Sequence, residues 1–196
     1  MRTLILGLLA VALFATNAGL KSSPPTTAAN VRFDISFPAS SSKDALDGRL
    51  LLLLSTNNDS EPRLQISEDL TTQQVFGVDV DGWKPDQTKS VDQSAFGYPV
   101  RSLSEVKPGE YWVQALLHRY ETFKRADGHT VKLPMDRGEG QQWSRAPGNL
   151  YSAPKQIRID ANTASPIAIT LDKVIPPIEP PKDTKYVKHI KIQSER

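Results

Sequence analysis

Cysteine is absent from the 196 residues of this chain. That absence excludes disulfides, thiolate nucleophiles, zinc fingers and iron–sulfur clusters together. The fold must be held by core packing alone. A charge excess is lacking too: 24 Lys and Arg stand against 22 Asp and Glu, a formal net charge of +2. With no Lys/Arg cluster interleaved with aromatics, nothing argues for nucleic-acid binding. No G-x-S-x-G elbow occurs, and no strand–turn–helix pattern could present a nucleophilic serine. Paired-His spacing and calcium-loop spacing are also missing. No catalytic, cofactor or metal residue is assigned.

What is present begins with an address. Met1-Arg2 gives a short positive start, and Leu4–Phe14 is an apolar run too short to span a bilayer comfortably. Small residues around Ala18 offer a cleavage point, so residues 1–18 read as a signal peptide. No Cys follows for a lipid anchor. The mature protein is expected to be secreted or periplasmic, with no stable membrane anchor. Residues 19–30 are small, polar and Pro-containing, and read as a disordered lead-in. Fifteen prolines and eleven glycines favour a loop-rich β protein over a helical one.

The stretch Gly109–Tyr120 reads as the organising strand. Tyr111, Val113, Ala115 and Leu117 alternate with Trp112, Gln114, Leu116 and His118, and neither set is purely polar. Such a strand is covered on much of both faces, in the middle of a sheet. Before it, Leu103 and Val106 are carried inward by a tight turn, and Gly109 permits the reversal. Val31–Phe37 alternates as a half-buried strand. Arg49–Thr56, with five consecutive leucines after the turn-forming Asp47-Gly48, reads as a buried central strand and the antiparallel partner of the first. Short strands are expected at Pro62–Ser67, Val75–Asp81, Lys155–Asp160 and Pro166–Val174, the last two forming a hairpin. Glu121–Arg145 is the least regular part. The fold expected over residues 31–175 is an all-β, immunoglobulin-like antiparallel sandwich of about seven to nine strands. A Pro-rich C-terminal tail follows: a polyproline linker over 176–185, then a terminal strand over 186–196.

The residues that could form a ligand or partner surface are Tyr120, His129, Asp136 and Trp143. His129 and Asp136 fall in the segment from Asp127-Gly128-His129 to Asp136-Arg137-Gly138-Glu139, where one His and three acids could meet a divalent ion. Turn chemistry and surface ion pairs explain the same residues, and the same holds for Asp79-x-Asp81-Gly82. Tyr120 and Trp143 could stack on a sugar ring, or anchor loops; Trp143 sits in the glycine-bracketed segment Gly138–Gly148, whereas Trp112 reads as core. His118, inside the central strand, reads as packed.

Several segments together carry a likeness. They are Val106-Lys107-Pro108-Gly109-Glu110-Tyr111-Trp112-Val113-Gln114-Ala115, Tyr120-Glu121-Thr122-Phe123 and Arg125-Ala126-Asp127-Gly128-His129-Thr130-Val131. Leu133-Pro134-Met135-Asp136-Arg137-Gly138-Glu139-Gly140-Gln141, Pro147-Gly148-Asn149-Leu150-Tyr151-Ser152 and Lys173-Val174-Ile175-Pro176-Pro177 extend it. Across residues 31–196 the chain resembles the N-terminal β-rich region of secreted bacterial esterases. In that family the hydrolytic Ser, acid and His lie downstream, in an α/β-hydrolase domain absent from this chain. The resemblance therefore implies a non-catalytic accessory or scaffold module. It implies an esterase-like catalytic domain as partner, and Tyr186–Gln193 as that domain's opening strand. A free-standing domain binding a glycan or another ligand is the competing expectation.

Overall fold

The computed structural model describes residues 31–163 and 166–193. The expected signal peptide and lead-in lie outside these residues. Among them the chain is all-β, with eleven strands and two 3-10 turns. The strands are β1 (Phe33–Ser36), β2 (Leu46–Ser55), β3 (Gln74–Trp83), β4 (Lys89–Val91), β5 (Phe96–Tyr98) and β6 (Gly109–Lys124). The rest are β7 (Thr130–Leu133), β8 (Leu150–Tyr151), β9 (Lys155–Ile159), β10 (Ile167–Thr170) and β11 (Lys173–Val174). The count exceeds expectation because several strands are only two or three residues long.

Strand β6 is the axis. It pairs with β2 along one side, with β9 and β8 in succession along the other, and with β7 at its C-terminal end. The larger sheet runs β11-β8-β6-β2-β3-β5, with β7 and β9 also on β6; the smaller runs β10-β1-β4. Facing layers follow from the alternation. Phe33 and Ile35 of the small sheet meet Leu50, Leu52 and Leu54 of β2 and Val113, Ala115 and Leu117 of β6 in the main core. Each of these large side chains stabilises the fold by about 1.5–3 kcal/mol when fully buried. The leucine run of β2 is central, as its composition demands: Leu51 and Leu53 face the opposite side. That second face is covered not by a sheet but by Ile66, Trp143, Tyr151 and Ile175 from loops and short strands.

The approach to β6 matches its sequence pattern. Ser102 caps a 3-10 turn, its Oγ accepting from the Ser104 N–H, and Leu103 and Val106 are buried. The Tyr111 hydroxyl then donates to the Lys107 carbonyl at 2.8 Å, locking the start of the strand onto the turn.

Six expectations fail. Asp47-Gly48 is not a turn before β2 but a bulge within it, where the register against β3 shifts between Leu46 and Gly48. Strands β1 and β2 are not partners; β1 pairs in parallel with β10 and antiparallel with β4, in the other sheet. For the same reason β9 and β10 form no hairpin: the chain changes sheets between them. Pro62–Ser67 makes a 3-10 turn, Pro62–Leu64, because the proline at its start fixes φ and supplies no ladder donor. Glu121–Arg145 contains a regular β6–β7 hairpin, Glu121–Lys124 against Thr130–Leu133. In the tail, the strand expected over Tyr186–Gln193 does not form. Asp183 instead accepts from the His189 N–H at 2.9 Å and pairs with Lys188, and the Thr184 N–H donates to the Val187 carbonyl. No helix among the described residues is long and apolar enough to cross a membrane.

Candidate functional site

The loop-covered face of the large sheet carries the most organised polar chemistry. Alternation along β6 sends Trp112, Gln114, Leu116 and His118 to this face. A glutamine in such a row must find partners once it is buried, and Gln114 is fully buried. Its Oε1 accepts from the Arg63 N–H at 3.0 Å, while its Nε2 donates to Glu61 Oε2 at 2.8 Å and to the Ser152 carbonyl at 2.9 Å. The amide orientation is thereby fixed. Arg63 Nε donates to the same Glu61 oxygen at 2.8 Å, and its other arm donates to the Ser144 carbonyl. The guanidinium lies over the Tyr151 ring, 4.6 Å from its centre.

Glu61 is consequently an ionised carboxylate in a fixed pose. Burial pushes its pKa up, but the hydrogen bonds from Arg63 and Gln114 outweigh burial and hold it below the usual range. Its Oε2 is fully engaged, while Oε1 has no donor among the described residues.

Two clefts open on this face. One, of about 410 Å³, lies between the Arg63–Glu68 segment and Gln141–Arg145 and includes Trp143. The other, of about 240 Å³, is lined by Trp112, Pro62 and Pro154 together with Glu61, Ser60 and Asn58. Trp112 was expected in the core. It is half-buried because it stands where β2 ends, opposite Ser55 on one side and Gln156 on the other. Small or polar neighbours leave part of its ring uncovered.

The four residues singled out from sequence do not form one site. Tyr120 lines a separate cleft of about 480 Å³ with Arg49, Asp79, Asp81 and Lys132; burial raises its phenol pKa. His129 sits at the β6–β7 turn, its ring largely exposed and Nδ1 3.2 Å from Asp127. Asp136 is a turn residue: Oδ1 accepts from the Gly138 and Gly140 N–H groups at 2.8 and 3.3 Å. Trp143 packs on Leu51, Leu53 and Leu116 with its carbonyl held by Asn149 Nδ2, which is a loop-anchoring role. Asp79 and Asp81 are paired with Arg49 and Lys132, each at 2.8 Å. No group of three metal-ligating side chains occurs among the described residues.

Sequence reasoning missed Glu61, Gln114 and Pro154. Only Gln114 carried a signal, as the polar member of an apolar row. His118 stacks edge-on with Tyr120 at 5.6 Å, and its pKa is lowered by burial, with Glu139 opposing. No protein-family model, curated protein or solved structure matches the chain.

Proposed function

We propose that this chain is a secreted, non-catalytic β-sandwich module, immunoglobulin-like in character, that docks an esterase-like hydrolase domain. The observation that carries the reading is the tail. Beyond the prolines, Tyr186, Ile190 and Ile192 are 86%, 81% and 88% exposed, and Val187 is 51% exposed. Tyr186, Ile190 and Ile192 share one strand phase and Val187 falls on the other; apolar side chains left uncovered in such a strand-forming sequence suit addition to another protein's sheet. Buried there, each would contribute on the order of 1.5 kcal/mol or more. The proline-rich stretch before them acts as a semi-rigid spacer that holds this segment away from the sandwich.

The immunoglobulin-like character is supported by the turn-and-tyrosine lock between Tyr111 and Lys107, which resembles the corner that fastens such sandwiches. The secreted location rests on the N-terminal sequence. A module of this kind contributes binding area and orientation, and leaves bond breaking to its partner.

Co-expression of the full chain with a secreted α/β-hydrolase esterase domain tests the reading. The expected result is a stable complex that is lost in the double variant Ile190→Asp, Ile192→Asp. A complex indifferent to those substitutions, or no complex at all, would remove the tail's assigned role.

A further inference from the structure

We propose that the pocket around Trp112 binds a neutral pyranose ring. The proposal uses none of the tail's residues and stands or falls apart from the docking role. The pocket of about 240 Å³ is matched to one sugar ring, and its walls are an indole and two prolines, Pro62 and Pro154. An indole face takes the axial C–H groups of a pyranose, and rigid proline rings add apolar contact at little entropic cost. Trp112 itself is held on both edges by the ladder, paired with Ser55 and Gln156. The backbone that carries the ring is thereby fixed.

Hydroxyl recognition needs a fixed acceptor beside that ring. Glu61 supplies it: Oε2 is held by Arg63 and Gln114 at 2.8 Å each, leaving Oε1 to accept from a hydroxyl. Gln114 lies on the same face as Trp112, roughly 7 Å along the strand, so the acceptor is tied to the stacking platform through one rigid element. Ser60 and Asn58, which also line the pocket, offer a further hydroxyl and amide.

An organic cation is the natural rival for a carboxylate beside an indole. Two observations disfavour it. The Glu61 charge is already balanced by the Arg63 guanidinium at 2.8 Å, which removes the attraction for a second cation but keeps the lone pairs. The wall also holds one aromatic ring, where cages for quaternary ammonium use several.

The test titrates the full chain with the methyl pyranosides of glucose, galactose, mannose, xylose and N-acetylglucosamine, then with their β-linked oligomers. Calorimetry and the assigned indole N–H resonances are the readouts. At least one sugar is expected to bind saturably and to shift the Trp112 resonance, leaving Trp83 and Trp143 in place. Trp112→Ala should weaken binding on the order of tenfold or more, Glu61→Gln should weaken it less, and Trp143→Ala should not change it. Should Trp112→Ala fail to fold, the resonance shift in the unaltered protein still decides. No saturable binding to any of these sugars would overturn the proposal. So would a shift at Trp143 instead of Trp112, or preferential binding of tetramethylammonium at the same indole.

Discussion

Gln114 Nε2 donates to Glu61 Oε2 at 2.8 Å, and this bond joins the middle of the central strand to the loop that covers it. Glu61 and Gln114 are 53 positions apart in the chain. The fold brings them together because the second face of β6 has no sheet to cover it and recruits the Pro62–Leu64 turn instead.

Gln114→Leu is expected to destabilise the protein although it adds apolar character. It strands the Arg63 N–H and the Ser152 carbonyl, both bonded to the amide. Leaving buried groups unsatisfied costs about 1–3 kcal/mol each. Urea unfolding should show a lower midpoint with an unchanged slope.

Gly48→Ala should be costly both for packing and for its backbone, which sits at φ +157°. A Cβ at Gly48 would lie 2.2 Å from the His118 carbonyl oxygen, so the bulge of β2 must move away from β6. Overpacking of this kind costs roughly 1–3 kcal/mol. Thermal unfolding of the variant against Gly82→Ala, whose Cβ would meet nothing within 4 Å, separates close approach from backbone strain at φ +55°.

Tyr111→Phe removes the hydroxyl that donates to the Lys107 carbonyl and that also meets the Gln74 side chain. A loss of about 1 kcal/mol is expected. Leu103→Ala, in the same turn but fully buried, should lose about 2–5 kcal/mol by opening a cavity. Denaturant midpoints of the two variants rank hydrogen bond against packing at this corner.

The pH dependence of stability should carry a His118 component. Burial lowers the pKa of this imidazole in the folded protein, so the folded state binds the proton more weakly than the unfolded chain. Stability is then lost as pH falls from about 6.5, the ordinary histidine value, toward the lower folded value, and the loss is constant below that. Unfolding midpoints measured across this window should flatten in His118→Gln. Glu61 acts further down: its depressed pKa contributes stability that is present above about 4.3 and disappears as pH falls through its folded value.

Local chemistry was legible in the sequence, and long-range pairing was not. The two faces of Gly109–Tyr120 and the leucine run of β2 read directly, because alternation reports burial on each side of a strand. The Leu103–Tyr111 corner was legible too, since turn residues act over a few positions. The partners of β1 were not: Phe33–Ser36 meets Ile167–Thr170, more than 130 positions later, and its pattern is satisfied by any apolar face. Pro62 misled because an apolar-polar run of six residues suits a strand until its proline is weighed. The candidate site scattered for a similar reason. Tyr120, His129, Asp136 and Trp143 are close in sequence, but the β6–β7 hairpin and the following loop send them to different surfaces. Trp112 and Glu61, far apart in sequence, were brought to one pocket.

Hydrolysis of short-chain aryl esters by the purified full chain tests the non-catalytic reading most directly. The expected rate equals that of buffer with an unrelated β-sandwich protein, and does not change in His118→Ala. Saturable turnover that disappears when His118 or a serine is substituted would contradict it.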